Sequence, residues 1–174
     1  QLSMELYDTK TEKVVWSERW QKNWNEFPSI RDVLAENILE KLKVDYNTAS
    51  PKIALNPDAY EFYLKAKHKY EKRENKDDAK IAQGLADKAI ELDDNLIRAK
   101  VFLAYTYTDM GDNDKAIEVL DPAMEQAQKL GDKQGEAAIL SALGTTYMNK
   151  GNLDLMIGYH KKALAIYQET GNAE

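Results

Sequence analysis

Cysteine is absent from the 174 residues. That removes any disulfide framework, thiolate nucleophile or thiolate metal site, and fits a cytoplasm or a periplasm alike. Histidine is nearly absent too: His68 and His160 stand alone, with no Asp or Glu partner at a metal-ligand spacing. There is no basic surplus, since 24 Lys and Arg face 30 Asp and Glu for a formal charge of -6. No local Lys/Arg cluster runs against that balance, so the chain lacks the basic face that a phosphate backbone requires, and no nucleic-acid partner is expected. Apolar runs are short. Nothing approaches the roughly 18 consecutive apolar residues of a membrane span, and no signal peptide opens the chain. Gln1 falls inside what reads as a strand, so the sequence is expected to be a piece of a longer protein.

What the chain does have is repetition. Leu103, Tyr107, Gly111, Ala123 and Gly131 recur forty residues later as Leu143, Tyr147, Gly151, Ala163 and Gly171. One unit earlier, Ala82, Ala86 and Ala89 stand thirty-four residues before Ala116, Leu120 and Ala123. Each unit reads as two helices joined by a tight turn. Val101, Ala104, Tyr105 and Thr108 have helical spacing, Gly111 supplies a left-handed stop, and Asp112 or Asn113 can cap the next helix. That next helix carries Ala116, Leu120, Ala123, Ala127 and Leu130 on one stripe. Pro122 lies inside it, and a kink or local loss of regularity is expected there. Small residues such as Ala104 and Gly144 let one helix approach the bulk of another.

These residues resemble the tetratricopeptide repeat. Leu143-Gly144-x-x-Tyr147 is similar to its Leu-Gly-x-x-Tyr core, and Ala116-x-x-x-Leu120-x-x-Ala123 is similar to its second-helix pattern, with Met156, His160 and Ala163 in those places in the third unit. The resemblance covers about residues 57 to 171. The first unit departs from the pattern: Ala66 takes the Gly position, Asp94 replaces the closing Pro, and sixteen residues separate Ala66 from Ala82 where twelve separate Ala104 from Ala116. A turn insertion around Arg73 to Asp78 is expected to hold the excess. The implied fold is mainly α, an α-α superhelix of three helix-turn-helix repeats at about 58–95, 96–135 and 136–174, following a linker over 45–57.

Residues 1–44 read differently. Leu2, Met4 and Leu6 alternate with polar residues, as do Val14, Trp16 and Trp20 less perfectly, with a turn over Asp8 to Lys13, giving a small N-terminal β-hairpin. Ser29 can cap a helix running to about Lys43 with Ile30, Val33, Leu34, Ile38 and Leu42 on one face. Trp16, Trp20 and Trp24 are expected to brace hairpin against helix. Val-Val-Trp-Ser-Glu followed by Phe-Pro-Ser-Ile-Arg-Asp resembles the end of a bacterial TolB-like N-terminal domain, a module that precedes tetratricopeptide repeats in some signalling proteins. That resemblance implies an incomplete sheet whose exposed strand edge seeks a partner.

Catalysis finds no support. Ser29, Ser141 and Thr145-Thr146 lie in no nucleophile-elbow context. Asp109-Met110-Gly111-Asp112-Asn113-Asp114 has its Gly third and lacks the twelfth-place Glu of a calcium loop. No glycine-rich phosphate loop occurs. No metal and no cofactor are expected. The useful candidates come from the resemblance, which implies that the first helix of each repeat lines a peptide groove. The first repeat offers Tyr60, Tyr63, Lys67 and Tyr70; the second Arg98, Val101, Tyr105, Thr108 and Asp109; the third Ala138, Ser141, Thr145, Met148 and Asn149. The Lys/Asn arrangement that clamps chaperone tails is not reproduced, since Tyr105 and Thr145 stand where Asn would serve. On the last helix, Leu155, Tyr159 and Ile166, with Ile157 and Leu164 nearby, form a second apolar stripe that is expected to contact another molecule or, in the full protein, another repeat. The expectation is thus a non-catalytic scaffold binding a protein or peptide, with self-association through the strand edge or the last helix. The alternative is a regulatory or oligomerisation segment of a larger bacterial signalling protein carrying, for example, a nucleotide-cyclase or transcription-regulator module.

Overall fold

A computed structural model describes residues 2–8, 13–20 and 56–171. The chain divides into two compact units, Gln1–Ala49 and Ser50–Glu174. In the first, strands β1 (Leu2–Asp8) and β2 (Lys13–Trp20) form the expected antiparallel hairpin. Leu6 pairs with Trp16 and Tyr7 with Val14, so the register shifts by one residue at Val15. The helix expected from Ser29 to Lys43, Trp24 and the linker up to Leu55 lie outside the described residues.

The second unit is an array of six helices in antiparallel pairs: α1 (Pro57–Glu71) with α2 (Lys76–Leu92), α3 (Ile97–Asp109) with α4 (Asn113–Leu130), and α5 (Lys133–Asn149) with α6 (Leu153–Glu169). Side-chain caps open most of them. Asn56 accepts from the amides of Asp58 and Ala59 ahead of Pro57 at the first turn, and Asn75, Asp132 and Asn152 cap α2, α5 and α6. The α4 start differs from expectation: Asp112 takes the cap position but its side chain pairs with Lys115 at 3.2 Å, and the Asn113 Oδ1 is buried without a partner. Gly111, Gly131, Gly151 and Gly171 all adopt positive φ, from 66 to 87°. A left-handed residue therefore ends each of the last four helices, a conformation that costs a side-chain-bearing residue but not glycine.

Alanines make the pairs possible. Ala59, Ala66, Ala82, Ala86, Ala89, Ala99, Ala104, Ala116, Ala123 and Ala127 are all fully buried. The largest apolar cluster joins Ile97 and Ala104 of α3, the Ala116-Leu120-Ala123-Ala127 stripe of α4, and Ile139 and Leu143 of α5. Smaller clusters tie α1 and α2 to α3 through Leu96, Ala99 and Leu103. Two expectations need correction. Pro122 does not break α4, which runs as one helix to Leu130; its exposed position accommodates the ring and a single lost amide. The extra residues of the first pair are mostly helix rather than turn: α2 already starts at Lys76, and its added turn buries Ala79.

Candidate functional site

The first helices of the three pairs face a common hollow of about 540 Å³, open to solvent. Tyr63 comes from α1, and Arg98, Val101, Phe102, Tyr105 and Thr108 from α3. Helix α5 adds Ala138, Ser141, Ala142 and Thr145, and Tyr167 reaches in from α6. A smaller hollow of about 330 Å³ adjoins it, sharing Arg98, Val101, Ala138 and Tyr167. The helical spacing of these residues is what aims them to one side: on α3, positions 98, 101, 105 and 108 stack one above another.

The surface is aromatic. Tyr105 is 51% exposed. Tyr60 leans on Tyr63 with ring centroids 5.7 Å apart, and Tyr63 meets Phe102 edge-to-face at 6.2 Å. Tyr60 itself does not line the hollow. The Lys67 ammonium lies 6.0 Å from the centre of the Tyr63 ring. Burial pushes the Tyr63 hydroxyl above its usual range, against the pull of the neighbouring Arg98 charge.

Several sequence candidates turn out to be used by the fold itself. Tyr70 is only 4% exposed. Its hydroxyl donates to Asp109, and the Arg73 guanidinium stacks over its ring at 3.9 Å while also pairing with Asp109 at 3.0 Å. Tyr70 and Asp109 therefore bind each other across the first two pairs, with the Asp109 side chain still 42% exposed. Burial and the Asp109 carboxylate together hold the Tyr70 hydroxyl far above the phenol range. The Asn149 amide donates to the Thr108 carbonyl at 3.3 Å, and the Thr108 and Thr146 hydroxyls are bonded at 2.8 Å. Thr145 donates to the Ser141 carbonyl within its own helix. Met148 is 48% exposed but lies outside the lining.

Sequence reasoning missed Phe102, Ala142 and Tyr167. Phe102 and Ala142 each follow a groove position by one residue, where bulk on the neighbouring helix decides whether they show. Tyr167 belongs to a second helix; its place four residues after buried Ala163 was the available signal that it points toward α5. Arg73, at the turn, was also missed as the partner of Tyr70.

The exposed stripe of α6 is real but shifted. Leu153, Ile157 and Leu164 are 59%, 45% and 49% exposed, and Leu155 41%. Tyr159, expected on that surface, stacks on Tyr147 at 5.4 Å and 9°, and Ile166 is half-buried. His160 lies with its ring against Gly144, where a Cβ would stand 2.7 Å from Nε2, yet its outer side is open. Among the described residues no group of His, Asp and Glu could hold a metal ion, and no helix is long and apolar enough to cross a membrane.

Stacked antiparallel helix pairs with interlocking alanines define an α-α solenoid. Residues 95–169, the second and third pairs, match the family model described as tetratricopeptide repeat. The first pair falls outside that match but packs in the same way. Such repeats generally mediate protein–protein interactions, and no catalytic family is detected. The TolB-like likeness of residues 1–44 gains no support. No curated protein matches the chain.

Proposed function

We propose that the helical array is a non-catalytic scaffold that binds an extended or helical segment of another protein along the hollow of α1, α3 and α5. One observation carries this reading: side chains from three successive first helices converge on one open, aromatic-walled surface, where Arg98 and Tyr105 stay exposed and Tyr63, Val101 and Ser141 stay partly exposed although Tyr63, Val101 and Tyr105 also take part in packing. Exposed tyrosines flanked by cations supply area and hydrogen bonding at little entropic cost, as recognition surfaces do. A peptide array probed with the chain tests it. Tyr63→Ala, Lys67→Ala and Tyr105→Ala should weaken the retained peptides, the tyrosines by about tenfold each for the ~1–2 kcal/mol of an interface aromatic. Binding untouched by all three substitutions rejects the groove.

A second surface, for self-association, is favoured by comparing α6 with α4. Ile157, His160 and Leu164 stand forty residues after Ile117, Leu120 and Met124, which α3 and α5 cover. The occupant that suits the uncovered stripe is the same stripe of a second copy. Head-to-tail stacking would instead set it against α1, whose register positions Glu61, Lys65 and His68 are charged or polar and replace the buried Ala99, Leu103 and Thr106 of α3. Two α6 faces meeting about a twofold axis bury Ile157 and Leu164 around His160, giving a closed dimer. Sedimentation velocity should show a monomer–dimer equilibrium that Leu164→Glu abolishes; a monomer at all concentrations, or a growing ladder of oligomers, refutes it.

A further inference from the structure

The charge lining the main hollow is opposite in sign to the net charge of the chain. Across the array, nine Lys and Arg side chains have a carboxylate within 4 Å. Arg98 and Lys67 are among the described cations that have none, and both lie near Tyr63. Among the described residues Arg98 is the sole charged side chain lining the main hollow, and Asp132 lines only the smaller hollow beside it. Yet the chain as a whole carries six more acids than bases, 30 against 24. The hollow is therefore a cationic spot in an acidic protein, with apolar walls from Val101, Ala138 and the rings of Tyr105 and Tyr167.

Resting on the groove reading above, we propose that the segment bound there is acidic, presenting a carboxylate to Arg98 and Lys67 within about one helical turn of a large apolar side chain. The guanidinium offers a planar fork that a carboxylate fills with two parallel hydrogen bonds. The low-dielectric wall formed by Val101 and the tyrosines strengthens that pairing relative to one in open water. The apolar neighbour gains by leaving water against Ala138 and Tyr167. The net charge then works as a filter. A basic segment is drawn to the protein generally but meets Arg98 in the hollow, whereas an acidic one is held back everywhere except there. The carboxylate has two sources, an Asp or Glu side chain or a chain terminus, and both meet the same cations.

The test uses the whole chain and an array of random twelve-residue peptides, with retained sequences remade as fluorescein-labelled probes for anisotropy titration. Retained peptides should be enriched in Asp or Glu with Leu, Phe or Tyr within four positions. Exchanging the acid for its amide, or making Arg98→Ala, should weaken binding about tenfold, the size of a hydrogen bond to a charged group at a half-exposed site. Arg98→Glu should turn the preference toward Lys-containing peptides, and Arg98→Lys should keep part of the affinity. Arg98 is exposed, so these variants keep the fold, which circular dichroism verifies. Amidating the peptide terminus distinguishes the two sources: unchanged binding assigns the side chain, loss assigns the terminus, and either supports the proposal. Neutral or basic peptides whose binding is lost in Tyr105→Ala would leave the groove in place and overturn the acidic ligand. Peptides indifferent to both Tyr105→Ala and Arg98→Ala, or none retained, would overturn both.

Discussion

The two junctions between helix pairs are built from different materials. Between the second and third pairs, α3 and α5 approach closely along their length, whereas α1 and α3 make few close backbone approaches. Side-chain size accounts for this. At the second junction the facing residues are small: the buried Thr108 and Thr146 bond hydroxyl to hydroxyl, and Asn149 closes on the Thr108 carbonyl. At the first junction Phe102 is wedged edge-to-face against both Tyr63 and Tyr70, and Tyr70 against Tyr105. Rings hold α1 away from α3 where hydroxyls draw α5 in. The hollow nevertheless lies chiefly along α3 and α5, with Tyr63 the one contribution of α1 among its described lining residues. One repeat plan thus gives a tight seam and a propped seam, and the hollow borders both.

The largest effect is expected at the tight seam. Leu143 is 3% exposed and belongs to the main apolar cluster. Leu143→Ala should cost about 3 kcal/mol of unfolding free energy, as truncation of a buried leucine leaves a cavity as well as losing its transfer energy. At the propped seam Phe102 is half-buried, and Phe102→Ala should cost about 2 kcal/mol, less than the 3–5 of a fully buried phenylalanine. Urea titrations of both variants compare the seams directly. A larger loss from Phe102→Ala would mean that the aromatic wedge, not the apolar cluster, holds the array together.

Next in size is the hydroxyl pair. Thr146→Val keeps the shape but leaves the Thr108 hydroxyl buried without its partner. The expected loss is about 1–2 kcal/mol, the desolvation penalty of an orphaned hydroxyl. Replacing Thr108 and Thr146 together by valine should recover most of it, since the two polar groups then leave at once. A double variant as unstable as the sum of the singles would show that the hydroxyls do not act as a pair.

How much of this was legible beforehand follows the range of each interaction. The alanine stripes and recurrent glycines state which face of each helix is buried, because that information lies within one or two turns. The groove positions on α3 and α5 came from the resemblance to the tetratricopeptide repeat, and Val101, Tyr105, Ser141 and Thr145 line one hollow. What periodicity cannot tell is which partner a side chain meets across a junction. Tyr70 and Asp109 sit at groove positions by spacing, yet satisfy each other because Arg73 follows at the turn. Tyr159 sits on the outer stripe of α6 but finds the face of Tyr147. Tyr167 enters the hollow from a second helix, where the repeat pattern assigns only packing. The hairpin register escaped by one residue for the same reason, since a bulge is a property of two strands together.

The smallest effect separates the seams by pH. The propped seam carries a titratable bond between its helices, that from Tyr70 to Asp109. Burial and the adjacent carboxylate raise the Tyr70 pKa above its value in the unfolded chain. Below about pH 10, where an unfolded tyrosine is still protonated, the phenol is neutral in both states and the bond contributes fully. Above it the unfolded chain gains stability by ionising while the folded phenol stays protonated, so stability falls as pH rises toward the folded pKa. Tyr70→Phe should therefore lower stability by about 1 kcal/mol at pH 7, the net worth of one hydrogen bond, and flatten the decline between pH 9.5 and 11 in urea titrations. Thr146→Val should leave that slope unchanged, because its hydroxyl does not titrate there. An equal alkaline decline in Tyr70→Phe and the parent chain would show that the bond to Asp109 does not control the first seam.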